Sequence, residues 1–194
     1  MLDTLPHYFY SIIDPPNKDE LLYALERTTK LHKEQECSWS EGCSIQFERL
    51  DLEEDFHSLF APSLGQFFQE IQIDARNLRI QLHEVWRNTY HRNFFQEVHD
   101  HLPLHLSGVV FLTDEQEGDG QFFFYHKHYS EVSKEWRDVG LFGDRKFVKA
   151  KRGRVLLFPS HMLHGVSIHK SDNMRKTVAF NLIFDTSVTL KNSI

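Results

Sequence analysis

His99-Asp100-His101 and Gly153-Arg-Val-Leu-Leu-Phe-Pro159-Ser-His-Met-Leu-His164 are the two stretches that decide the fold. Side chains alternate along an extended chain, so His99 and His101 share a face if residues 97–102 form a strand. In the second stretch the apolar run Val155 to Phe158 breaks at Pro159-Ser160 and delivers His164 just past a strand end. Concave ends of barrels are where side chains from separate segments converge. Two histidines from one strand and a third from a later one therefore predict ligands grouped on one side of a metal ion. Nitrogen ligands with open positions opposite suit mononuclear non-haem iron. Arg175, eleven residues after His164, stands where it would hold an anionic cosubstrate.

Working outward, Arg79 to Tyr90 alternates like a half-buried strand. Further strands are expected at Leu104–Leu112, Gln121–Tyr125, Phe147–Ala150, Val155–Phe158 and Lys176–Phe184. Short strands punctuated by Gly, Asp and Pro predict a sandwich or barrel. Thr113 to Gly120 reads as a turn, and Ser130 to Arg145 as an insertion long enough to cover a barrel mouth. The first third reads as helical, with one helix over Asn17–Arg27 after Pro15-Pro16 and a second around Leu59–Ile71. Ser44 to Leu50 is a short strand or a connector. The expected organisation is one domain over 1–194, with a helical support region at 1–76 and a β core at 77–187.

Composition narrows the function. The chain has 194 residues, 40% of them hydrophobic, and 17 are Phe, so aromatic side chains should dominate the core. A formal charge of −6 argues against a broad nucleic-acid-binding surface. The cations Arg145, Lys146, Lys149, Lys151 and Arg152 read as a solvated loop or strand edge. Cys37 and Cys43 form no C-x-x-C pair and read as two reduced thiols. No apolar run approaches the roughly 20 residues of a membrane span, and the first residues lack a signal-peptide pattern. A cytoplasmic protein with no membrane partner is the expectation; oligomeric state is open. Ten of the 13 histidines fall between His83 and His169, where the strands are expected.

Tyr90-His-Arg-Asn-Phe-Phe-Gln-Glu-Val-His99 resembles the approach to the first metal ligand in prolyl-4-hydroxylase-like 2-oxoglutarate/Fe(II) oxygenases. In that family a Gly occupies the place of Asn93, a residue that also tolerates the left-handed conformation. Leu106-Ser-Gly-Val-Val-Phe-Leu112 looks like the next strand. The stretch from Gly153 through His164 to Arg175-Lys-Thr-Val-Ala-Phe-Asn181 looks like the end of the fold. The combination looks closer to a little-characterised branch often found in phage and bacterial genomes, and the resemblance covers roughly residues 79 to 185. It implies a mainly β fold with N-terminal helices, a double-stranded β-helix (jelly-roll, cupin-like barrel). It also implies Fe(II) and 2-oxoglutarate as cofactors, and oxygen as a cosubstrate. The reaction would decarboxylate 2-oxoglutarate to succinate and hydroxylate a primary substrate of unknown identity.

His101 stands where the commoner pattern, H-x-D, has a carboxylate. The favoured ligand set is His99, His101 and His164, with Glu97 (same face by alternation) and Asp100 (if a bulge turns it inward) in reserve. Arg175 would clamp the distal carboxylate of 2-oxoglutarate, because guanidinium binds carboxylates in a planar, bidentate manner. Thr177 shares its face, and Tyr90 could donate to the same group. His161 is a candidate partner behind His164, while Trp86, Phe122 and Phe124 are candidate walls, each more often plain core. His105 would share the face of His101 only if the strand ran unbroken through Pro103. Two other readings stay open here. Gly-x5-Pro-x4-His also resembles a cupin motif, which would mean a metalloenzyme without 2-oxoglutarate. A non-catalytic β-sandwich with incidental histidines is the other.

Overall fold

In the computed structural model the described residues are 8–27, 35–40, 43–50, 52, 56–75, 78–140 and 143–185. The thiols of Cys37 and Cys43 lie outside the described side chains. The strands are β1 (Ser11–Ile13), β2 (Gln35–Ser40), β3 (Cys43–Arg49), β4 (Arg79–Tyr90), β5 (Gln96–His99), β6 (Leu106–Phe111), β7 (Phe122–Tyr125), β8 (Arg145–Val148), β9 (Val155–Pro159), β10 (His164–Val166) and β11 (Arg175–Asp185). The helices are α1 (Lys18–Arg27), α2 (Phe56–Glu70) and the short α3 (Lys134–Asp138). Two antiparallel sheets result, one of seven strands in the order β1-β9-β6-β11-β4-β3-β2 and one of four, β5-β10-β7-β8. This is the jelly-roll architecture expected.

The alternation of the long strands sorts residues between two cores. From β11, Val178, Phe180 and Leu182 pack with Leu21, Leu25, Phe56, Phe60 and Phe67 of the two longer helices. Ala179, together with Val109, Leu156 and Phe158 from neighbouring strands, packs instead with Phe122, Phe124, Val148 and Val166 of the smaller sheet. The larger sheet is thus covered by helices on one face and by the smaller sheet on the other. Burial of each large apolar side chain contributes about 1.5–3 kcal/mol. Gly108 allows the closest of these contacts: a Cβ there would lie 2.1 Å from the Phe180 ring.

The N-terminal third departs from the helical expectation. Both helices form, with Asp19 and Glu20 in the first turn of α1 and Arg27 in its last, complementing the helix dipole. β1, β2 and β3 are nevertheless part of the larger sheet, β1 pairing with β9 and β3 with β4. β1 is three residues long, too short to show a period, and its pairing partner lies more than 140 residues away. The insertion after β7 folds into a 3-10 turn and α3, with Trp136 and Val139 exposed.

Candidate metal centre

β5 and β10 lie side by side in the smaller sheet, with His99 directly opposite His164 and Phe124 of β7 on the other side of His164. Opposed residues in a ladder share a face, so both imidazoles point toward the larger sheet. The register of this pair is irregular: His164 faces His99 and Val166 faces Gln96, so β5 uses one residue more than β10 over the same span. Such a bulge turns one residue aside. Gln96 and His99 consequently both reach the interior, whereas Glu97, expected to share the face of His99, is exposed.

His101 arrives by a different route. A shared face by alternation requires residues 97–102 to be extended, but the strand ends at His99. Asp100 accepts the Leu102 N–H at 3.1 Å, an Asx turn, and Pro103 has no N–H to continue a ladder. His101 is pinned instead by its own N–H to the Ser160 carbonyl at 2.9 Å and by the Leu104 N–H to its carbonyl at 2.8 Å. The candidate ligand nitrogens of His99, His101 and His164 all lie within 4.8 Å of one another. Asp100 is exposed, and neither it nor Glu97 belongs to this group.

Hydrogen bonds choose the tautomers. Nδ1 of His99 donates to the Glu97 carbonyl at 2.7 Å, and Nδ1 of His164 to the Met162 carbonyl at 2.8 Å. Carbonyls only accept, so each Nδ1 carries the proton and each Nε2 keeps its lone pair. Burial holds all three histidines below their ordinary pKa: His101 is lowered to about 4, and His164, also opposed by the other two, is lowered well below 6.5. Neutral imidazoles are the metal-binding form. Phe122 stacks on His164 with ring centroids 5.4 Å apart, and Phe158 meets it edge-on at 4.8 Å. Trp86 touches His101 edge-on at 5.8 Å.

Arg175 opens β11 opposite Tyr90 and is 2% exposed. Its guanidinium lies 4.8 Å over the Tyr90 ring, and Nε, Nη1 and Nη2 have no hydrogen-bond partner among the described residues. Burial pulls its pKa down, opposed by Tyr90, Asp119 and Glu115. A buried, unpaired cation costs free energy; an anion with two acceptor oxygens would satisfy it. Thr177, two residues on, is buried on the same face. The expected donor role of Tyr90 is taken up elsewhere, since its hydroxyl donates to Gln96 Oε1 at 2.9 Å.

All six expected site residues (Tyr90, His99, His101, His164, Arg175 and Thr177) line one cavity. Trp86 and Phe122 line it as well, whereas Phe124 stacks on Tyr10 outside it. His161 is exposed near Tyr8, and His105 accepts the Phe184 N–H at 2.8 Å; neither reaches the cavity. Sequence reasoning gave no role to Gln96, Asn88, Ser107 or Asn181, which also line it. Their signal was polarity at inward positions of apolar strands. Ser107 donates to Asn181 at 2.7 Å, and Asn181 to Glu84 at 3.0 Å.

Residues 84–181 match a sequence family described as putative 2OG-Fe(II) oxygenase. Solved structures share the fold. An oxidoreductase of the 2OG-Fe(II) oxygenase family from Burkholderia pseudomallei is 14% identical with a TM-score of 0.60, over 85% of this chain and 76% of that one. A prolyl-4-hydroxylase from Pseudomonas putida is 15% identical with a TM-score of 0.58, over 90% and 92% respectively. HygX from Streptomyces hygroscopicus, with nickel, 2-oxoglutarate and hygromycin B bound, is 16% identical with a TM-score of 0.55, over 89% and 82%. No curated protein matches the chain.

Proposed function

The chain belongs to the 2OG-Fe(II) oxygenases, and from that premise we propose that His99, His101 and His164 hold its iron while Arg175, with Thr177, anchors 2-oxoglutarate. Family membership sets aside the cupin without 2-oxoglutarate and the non-catalytic module. The observation that carries the assignment is the pairing, in one cavity, of three neutral histidines with a buried guanidinium that has no hydrogen-bond partner among the described residues. These residues fit both groups. Imidazole nitrogens suit iron, and a planar cation with free donors suits a carboxylate.

When bound, iron(II) and 2-oxoglutarate supply oxygen activation coupled to oxidative decarboxylation of the cosubstrate to succinate and carbon dioxide. The protein's own part is positioning and exclusion of water. The carbonyls of Glu97 and Met162 orient two of the imidazoles. Phe122, Phe158 and Trp86 pack against the ligands and limit the water that reaches them. Hydroxylation of a primary substrate is the oxidation we assign to this centre.

The test is succinate formation from 2-oxoglutarate with Fe(II) and oxygen, followed by NMR without added substrate. Slow turnover is expected in the wild type, none in His164→Ala, and turnover restored in Arg175→Ala only by raising 2-oxoglutarate. Wild-type rates in both variants would remove these residues from the site.

A further inference from the structure

We propose that Gln96 is a hydrogen-bond donor into the coordination sphere of the metal, held in that orientation by Tyr90. The inference rests on the site assignment above. Gln96 is 7% exposed, on the bulged strand that carries His99. Its Oε1 accepts from the Tyr90 hydroxyl at 2.9 Å, and its Nε2 lies 3.3 Å from Nε2 of His99. The orientation of the amide follows from the imidazole. Nδ1 of His99 has its proton committed to the Glu97 carbonyl, so its Nε2 can only accept. The atom facing it must be the NH2 group.

That same Nε2 is the one available to a metal. Once a metal occupies it, the imidazole lone pair no longer accepts from Gln96. Displaced from that lone pair, the NH2 donor stays tethered through Oε1 to Tyr90 and turns toward whatever else is bound beside His99. The cavity makes such a donor consequential, because none of the described residues lining it is an Asp or Glu. A metal held by neutral imidazoles takes its negative charge from the bound cosubstrate, and a donor to an anionic oxygen is stronger than a neutral one. Tyr90 thereby acts at two points. Its ring lies under the Arg175 guanidinium, and its hydroxyl sets the amide beside His99. Gln96 and Tyr90 are positioning residues linking the carboxylate clamp to the metal end of the cosubstrate.

Gln96→Met retains the length and removes the donor; Tyr90→Phe retains the ring and removes only the hydroxyl. Each protein is loaded anaerobically with Fe(II) and titrated with 2-oxoglutarate, following the visible charge-transfer band, while Fe(II) affinity is measured separately by competition. Gln96→Met is expected to displace the band maximum and weaken 2-oxoglutarate about tenfold, with Fe(II) affinity within about twofold of wild type. Tyr90→Phe should displace the band in the same direction by less, and it carries the test if Gln96→Met does not fold. A wild-type band and affinity in the variants would overturn the proposal. So would a tenfold loss of Fe(II) affinity in Gln96→Met, which would make Gln96 a ligand. No band in the wild type itself would overturn the site assignment and the proposal together, an outcome distinct from either.

Discussion

The two sheets build their halves of the site by different means. On the larger sheet, Tyr90 and Asn88 of β4 face Arg175 and Thr177 of β11 along strands of 12 and 11 residues. Their inward direction follows from unbroken alternation over that stretch. On the smaller sheet the strands are three or four residues long. His99 sits at a bulge, His164 opens a strand, and His101 lies in a loop held by Ser160. Regular periodicity thus places the carboxylate clamp, and local irregularities place the metal ligands. A long regular strand spreads the consequence of a change; a bulge or a loop concentrates it.

The largest effect is expected on the smaller sheet. His164→Ala should lower Fe(II) affinity by more than about 100-fold, since even outer partners of ligands are worth 10–100-fold; competition titration with a chelating dye measures it. Retained affinity would mean that the irregular half does not hold the metal. Arg175→Met should then separate the halves. It is expected to weaken 2-oxoglutarate by about 10–100-fold in calorimetry while Fe(II) still binds. The metal-free protein should be no less stable in urea, because a buried unpaired charge has been removed. A loss of iron together with 2-oxoglutarate would show that the two halves are not separable.

Acid should act on the metal-free histidine cluster formed by His99, His101 and His164. Its three histidines have folded pKa values below the unfolded value of 6.5. The unfolded chain therefore binds more protons as pH falls, and stability is lost. The contribution is complete above about pH 6.5 and, for His101, declines until about pH 4. Urea midpoints at pH 7.5, 6 and 5 should fall in that order, and fall less steeply in His99→Ala. An unchanged slope in that variant would assign the acid sensitivity elsewhere. The smallest effect belongs to Glu97→Ala, which should leave Fe(II) affinity within about twofold because the bulge turns its carboxylate to solvent. A tenfold loss would return Glu97 to the ligand set.

The same contrast separates the parts of the fold that are legible in the sequence from those that are not. The strand expected over Arg79–Tyr90 has those bounds, and β11 differs from expectation by one residue at each end. Asn93 adopts φ of +70° at the position where the resembling family has Gly. β1 and β10, at three residues each, show no period, and their existence depends on partners distant in the chain. The bulge in β5 is a tertiary feature, so strict alternation put Glu97 inside and overlooked Gln96. His101 lies beside His99 and His164, though not for the reason that the spacing offers. The spacing suggested one continuous strand, whereas a turn at Asp100 and a hydrogen bond to Ser160 bring it in.

The most direct test of the centre is anaerobic titration of the Fe(II)-loaded protein with 2-oxoglutarate, read by its visible charge-transfer band. A band saturating near one equivalent is expected, absent in His164→Ala and requiring higher 2-oxoglutarate in Arg175→Met. Stoichiometric iron with no band at any concentration would contradict a cosubstrate chelated at the histidine cluster and clamped by Arg175.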